Sequence, residues 1–320
     1  MEKDRKILNC GNDEIEGGAL YIRLSNRGKC WILNSTFTNC NASNGGAIYA
    51  QIDSGAELTI DGLCSFIDCY AQLSGGGLYA QIVGQNSKLL LEDGLIFERC
   101  HAGLVYNEKR GGGTYINSIS SGSFIINKVS YISCEGSRGG GIDIGGNSSE
   151  TQKLNRTLFE RCNAGSGAGL NLVVINGNAN IELISITCVE CRGTSGGGLC
   201  IDLYYGTQVT LLGQCFFKDC FSAYGGGIYI TSSGKTSQIH FLGELEFENC
   251  TSIQLGGGIY CSAHDYGLIE INNTTFRNCT VNYSNFGGGG IYAYIGSGGQ
   301  LIINSCQFIN CSSFGGNGGG

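Results

Sequence analysis

Apolar and polar residues alternate along this chain in short runs, and the runs recur. Ile48-Tyr49-Ala50, Leu78-Tyr79-Ala80 and Ile228-Tyr229-Ile230 set an apolar residue on each side of a tyrosine. Leu58-Thr59-Ile60 and Ile269-Glu270-Ile271 repeat the scheme around a polar centre. A period of two sends successive side chains to opposite faces of a strand, so the outer members of each triplet belong in a core and the central one outside. No segment shows the spacing of an amphipathic helix. Two further marks bracket the runs. A glycine pair or triplet comes first, as in Gly17-Gly18-Ala19-Leu20-Tyr21, Gly75-Gly76-Gly77-Leu78-Tyr79 and Gly256-Gly257-Gly258-Ile259-Tyr260. An aromatic residue three places before a cysteine comes last, as in Phe37/Cys40, Phe97/Cys100, Tyr131/Cys134 and Phe276/Cys279.

The order of these marks never changes, which identifies an internal repeat. Cys10, Cys40, Cys69, Cys100, Cys134, Cys162, Cys191, Cys220, Cys250, Cys279 and Cys311 stand 28 to 34 residues apart. Helical repeats of that length would exclude glycine triplets, since each glycine costs about 1 kcal/mol in a helix. A propeller blade needs four strands and roughly 40–45 residues. Three strands and three turns fit the observed unit. The chain is therefore expected to be all-β: a right-handed parallel β-helix, a solenoid of about ten coils of roughly 30 residues with three strands per coil. It forms a single domain over 1–320. It begins part-way into a coil and ends on Gly318-Gly319-Gly320 without a cap, so it is read as a piece of a longer protein.

Stacking coils at the inter-strand spacing of about 4.8 Å sets like residues above like. The Phe row is expected inside, stacked ring on ring. The glycines are expected where a sharp turn lets one coil approach the next. The tyrosines Tyr21, Tyr49, Tyr79, Tyr115, Tyr229, Tyr260 and Tyr292 form a row expected to face solvent, where they either stack across strands to stabilise the sheet face or bind a partner. Phe-x-x-Cys is an odd spacing for two buried residues, which requires a bend between them. A row of parallel cysteines has poor geometry for bridging, so buried free thiols are favoured over scattered disulfides. Cys64, Cys215 and Cys306 suggest a second partial row. Cys188 takes the aromatic position of its coil and is read as a core substitution.

The pairing of Gly-Gly-Ala-Leu at 17–20 and Gly-Gly-Ala-Ile at 45–48 with Phe-x-x-Cys resembles the repeats of the chlamydial polymorphic membrane proteins, and similar repeats in protist surface proteins, over essentially the whole chain. That family pairs Gly-Gly-Ala-aliphatic with Phe-x-x-Asn. The resemblance implies a right-handed β-helix of the pectin-lyase-like group on a cell surface, with adhesion as its commonest role. Two departures stand out: Cys replaces Asn at the end of the Phe motif, and Gly replaces Ala at most Gly-Gly-Ala sites. The family's membrane barrel has no counterpart in these residues.

Composition narrows the function classes. There are 55 Gly, 18 Cys and no Pro, and only 14% of residues are charged, so the surface is built largely from Ser, Thr, Asn, Gln and Tyr. A net charge of −7 argues against nucleic acid as a partner. No run is long and apolar enough to span a membrane, and no signal peptide is evident. Ten asparagines open Asn-x-Ser/Thr sites, among them Asn34, Asn147, Asn155, Asn249, Asn278 and Asn310, which is compatible with an extracellular or cell-surface setting. No cofactor or metal is implied, because His101, His240 and His264 are scattered and the one Cys-x-x-Cys, at 188–191, has no second pair.

One irregularity interrupts the tyrosine row. In three consecutive coils its place is taken by Asp143, Asn171 and Cys200, with Asp202 on the same face two residues further on. Drift on a solvated face is the bland explanation; a polar notch for a ligand or cation is the sharper one. Acidic residues are otherwise sparse and unpaired, so no catalytic residue is assigned. The favoured function is a non-catalytic surface scaffold with an adhesive or ligand-binding role, taking glycans or cell-surface proteins along the tyrosine row. The alternative is a carbohydrate-active lyase or hydrolase acting near Asp143 and Asp202.

Overall fold

The structure is a computed structural model that describes residues 5–11, 14–103, 109–175, 179–283 and 287–314. It is a parallel β-solenoid of about ten turns. Three continuous parallel sheets of 11, 10 and 10 strands run its length. One coil shows the plan: Ile48–Asp53 carries the tyrosine, Glu57–Asp61 follows, and Ser65–Ile67 carries the phenylalanine. A fourth strand, Tyr70–Ser74, returns the chain to the next glycine turn. These fourth strands make shorter ladders of five and four, an addition to the expected three strands per coil.

The register is the one the repeat demands. Ile48, Tyr49, Ala50 and Gln51 pair with Leu78, Tyr79, Ala80 and Gln81. Phe37, Phe66, Phe97, Tyr131 and Phe159 are fully buried and stacked, with ring centroids 4.4 to 5.4 Å apart. Cys188 interrupts the stack, lying in register between Phe159 and Phe217, and the rings resume from Phe217 to Phe308. Where Tyr131 replaces Phe, Thr114 replaces the aliphatic residue after the glycines. Their hydroxyls lie 3.1 Å apart, so the buried phenol keeps a partner.

The bend between Phe and Cys is a single residue in the left-handed region. Asn9, Asn39, Asp68, Arg99, Ser133, Arg161, Glu190, Asp219, Asn249, Asn278 and Asn310, each just before a ladder cysteine, have φ between 49° and 54°. Asn and Asp, which tolerate this conformation best, fill seven of the eleven places. The turn brings the cysteine back inside. From Cys69 onward each thiol donates to the carbonyl of the aromatic-row residue one coil earlier, at 3.3 to 3.6 Å. A position that must donate to a buried carbonyl accepts Cys, whose thiol is a weak donor. All 18 cysteines are free thiols. Cys64 and Cys215 are buried in one inward row with Leu95 and Leu245, as small apolar members.

The glycine row is forced by backbone contact. A Cβ on Gly76 would lie 2.2 Å from the Gly112 carbonyl oxygen and 2.6 Å from the His101 nitrogen, both backbone. At the third position, a Cβ on Gly77 would lie 2.7 Å from the Phe97 ring. The close packing of the fourth strands on this turn also explains their inward residues, which are small: Ala42, Ala71, Ala102 and Ala164.

Candidate functional site

The tyrosine row points outward as expected except at Tyr115, which is buried, and its rings are used against one another. Tyr21–Tyr49, Tyr49–Tyr79, Tyr229–Tyr260 and Tyr260–Tyr292 stack at 4.7 to 5.6 Å with interplanar angles of 15° or less. A ring sandwiched between two others offers solvent its edge and hydroxyl, not its face. Tyr21 is 55% exposed, while Tyr115 is only 6% exposed beneath the guanidinium of Arg110, 5.6 Å from its centroid.

The break in the row is one continuous feature. Tyr115, Asp143, Asn171, Cys200 and Tyr229 follow one another in register. Asp143 and Asn171 are buried rather than solvated, at 2% and 1% exposure, which corrects the expectation of a solvated face. Two arginines in the turn cause this. Arg110 and Arg138 bridge on adjacent rungs, each immediately before a glycine triplet, and both fold over Asp143, with Nε atoms 3.9 and 3.8 Å from its Oδ2. Arg110 Nη1 also donates to the Tyr115 hydroxyl at 3.0 Å. Neither arginine was singled out from the sequence. The usable signal was Arg-Gly-Gly-Gly at 110–113, repeated one coil later at 138–141.

Around the arginines lies a pocket of about 360 Å³, lined also by Asn117, Asp143, Gly145 and Asn147. Hydrogen bonding is incomplete among Asp143 and Arg138, which line it, and the neighbouring Asn171. Asn171 Nδ2 donates to Asp143 Oδ1 at 2.6 Å, but Asp143 Oδ2, Asn171 Oδ1 and Arg138 Nε are buried without a hydrogen-bond partner. Each such group costs on the order of 1–3 kcal/mol. Burial pushes the Asp143 carboxyl up to about 6, although Asn171 and the two guanidiniums pull the other way. Asp202, also raised by burial, turns to the far side of the break, where Thr231 Oγ1 donates to it at 2.5 Å and the Cys200 thiol at 3.8 Å. Asp143 and Asp202 lie two rungs and two residues apart, about 12 Å between Cα atoms at standard strand spacings. The structure thus brings Asp143 and Asn171 together and leaves Asp202 outside the pocket.

On the other side of Arg138 runs a shallow groove of about 630 Å³ over the fourth strands, floored by Gly136, Gly165 and Thr194 with Glu135 and Asn163 along it. Among the described residues no group of three His, Cys, Asp or Glu could hold a metal ion, and no helix is long and apolar enough to cross a membrane. Five of the ten Asn-x-Ser/Thr asparagines, Asn34, Asn249, Asn273, Asn278 and Asn310, have positive φ, so turn chemistry is reason enough for their identity. No family model, curated protein or solved structure matches this chain.

Proposed function

We propose that the chain is a non-catalytic ligand-binding scaffold of a surface protein, and that its binding site is the pocket where the tyrosine row breaks. The observation that carries the reading is a pocket-sized concavity lined by Asp143 and Arg138, whose buried Oδ2 and Nε atoms have no hydrogen-bond partner. Two arginines and the amides of Asn117 and Asn147 line it, polar groups suited to a hydroxyl-rich partner such as a glycan. Because ring faces inside the row are occupied, sugar stacking along the ladder contributes little beside the pocket. The cell-surface setting rests on the resemblance to chlamydial and protist repeats.

An enzymatic reading has one feature in its favour, the carboxyl of Asp143 raised to about 6. Against it, glycosidases use a pair of carboxyls flanking one bond, and only Asp143 lines the pocket. A glycan array with the native chain and with Asn117→Trp, which fills the pocket, tests the proposal. Binding that disappears in the variant while its circular dichroism is unchanged supports it. Equal binding by both proteins, or turnover of a polysaccharide by the native chain, would overturn it.

A further inference from the structure

We infer that the stacked tyrosine row is a site of oxidative cross-linking, in which Tyr229 is joined to Tyr260, and Tyr49 to Tyr79, by a carbon–carbon bond between the rings of neighbouring coils. The inference concerns the row on either side of the pocket and does not depend on the pocket being a binding site.

Strand register brings the rings together. Tyr49 pairs with Tyr79, and Tyr229 with Tyr260, in parallel strands, so each pair of side chains leaves the sheet in the same direction. The ring centroids are 4.7 Å apart in both pairs, with interplanar angles of 11° and 1°. Like atoms of two such rings face each other, among them the carbons ortho to the hydroxyls. Those carbons share the unpaired electron of a phenoxyl radical. They lie at the outer ends of the rings, so two side chains leaning towards each other bring them to bonding distance while the strands keep their register. All four rings are half-buried, which leaves those outer ends in reach of solvent.

The reaction takes hydrogen peroxide as oxidant, acting through a haem peroxidase. Each phenol loses one electron and its hydroxyl proton. Two neighbouring radicals then form one bond between ortho carbons, and the two ortho hydrogens move to the oxygens, which restores both aromatic rings. The pair loses two hydrogen atoms in all, and one peroxide becomes two waters. The product ties one coil covalently to the next, which the 18 free thiols do not do.

Other tyrosines supply the contrast. Tyr79 and Tyr115 are also in register, with centroids 5.1 Å apart, but their planes are inclined by 53° and Tyr115 is buried beneath Arg110. Tyr224 meets Tyr260 edge-on, at 74°. Tyr205, Tyr266 and Tyr294 are more than half exposed. Among the described residues no tyrosine stacks in parallel on any of these three. If exposure decided reactivity these three would react first; stacking selects the row.

The test treats dilute native chain, its accessible thiols alkylated beforehand, with a haem peroxidase and hydrogen peroxide. The monomer is recovered by gel filtration, and its dityrosine fluorescence and cross-linked peptides are read. Lys235 separates Tyr229 from Tyr260 for trypsin, and Asp53 and Glu57 separate Tyr49 from Tyr79 for an acid-specific protease. Both links are expected within the monomer, with no link between Tyr79 and Tyr115. Tyr49→Phe/Tyr260→Phe keeps every ring but removes all four parallel tyrosine pairs, and is expected to lose most of the monomer's dityrosine signal. Tyr205→Phe/Tyr266→Phe/Tyr294→Phe is expected to leave that signal unchanged. A native monomer without dityrosine, an equal signal in Tyr49→Phe/Tyr260→Phe, or a Tyr79–Tyr115 link as abundant as Tyr229–Tyr260 overturns the inference. None of these outcomes bears on glycan binding at the pocket.

Discussion

Replacing Phe97 by Ala removes one ring from the middle of the aromatic stack. Phe97 is fully buried, with Phe66 4.4 Å and Tyr131 4.9 Å away in near-parallel planes. Loss of the ring's transfer energy amounts to about 2–3 kcal/mol. Two stacking contacts add about 0.5–1.5 kcal/mol each beyond area burial. The rungs above and below are tied by parallel hydrogen bonds at fixed spacing, so the cavity cannot collapse along the axis. The expected destabilisation is about 4 kcal/mol, within the 3–5 kcal/mol usual for Phe to Ala in a core. Urea unfolding followed by circular dichroism measures it, with Phe97→Leu as the companion that refills most of the volume and costs about 1–2 kcal/mol. A loss below 1 kcal/mol for Phe97→Ala would show that the ring does not sit in a closed column, and the rung-on-rung argument would fail with it.

The glycine turn gives a second contrast. Gly226→Ala places a Cβ 2.2 Å from the Gly257 carbonyl oxygen, and its expected cost is at least about 3 kcal/mol by thermal melting, because only backbone can yield. Gly84→Ala meets nothing within 4 Å and carries only the strain of φ +83°, about 1–2 kcal/mol. The buried carboxyl gives a dependence on pH. Asp143 is raised in the fold to about 6, so the folded chain holds its proton more tightly than the unfolded one. Its contribution is therefore full below about pH 4 and is lost as pH rises through 6, by about 3 kcal/mol. Asp143→Asn is expected to gain stability relative to the native chain as pH rises from 4 to 7; a difference that stays flat across that range would contradict the burial.

The sequence shows most of this architecture because the solenoid repeats its own constraints. Strand identity and facing follow from alternation in triplets such as Leu78-Tyr79-Ala80. The parity conflict in Phe-x-x-Cys correctly demanded a bend, and a left-handed residue supplies it. The fourth ladder was not legible, because segments such as Asn41–Asn44 and Asn163–Ser166 show no apolar alternation. Their inward residues face the glycine turn, where only small side chains fit. The site was half legible. Asp143 and Asn171 were visible as a break in the tyrosine row, but their burial depends on Arg110 and Arg138, which sit in a turn where period two does not say which way a side chain points. The stacking of tyrosine on tyrosine was legible too, by the same reasoning that stacked the phenylalanines.

Thiol titration with an aromatic disulfide reagent tests the central claim most directly, namely that equivalent side chains superimpose from coil to coil and that the cysteine row lies inside. Without reductant, 18 reactive thiols are expected in guanidinium chloride. In the native chain, rapid reaction is expected only at the partly accessible Cys10, Cys30, Cys306 and Cys311. Fewer than 18 thiols on denaturation, or fast native reaction at interior positions such as Cys100 and Cys134, would contradict it.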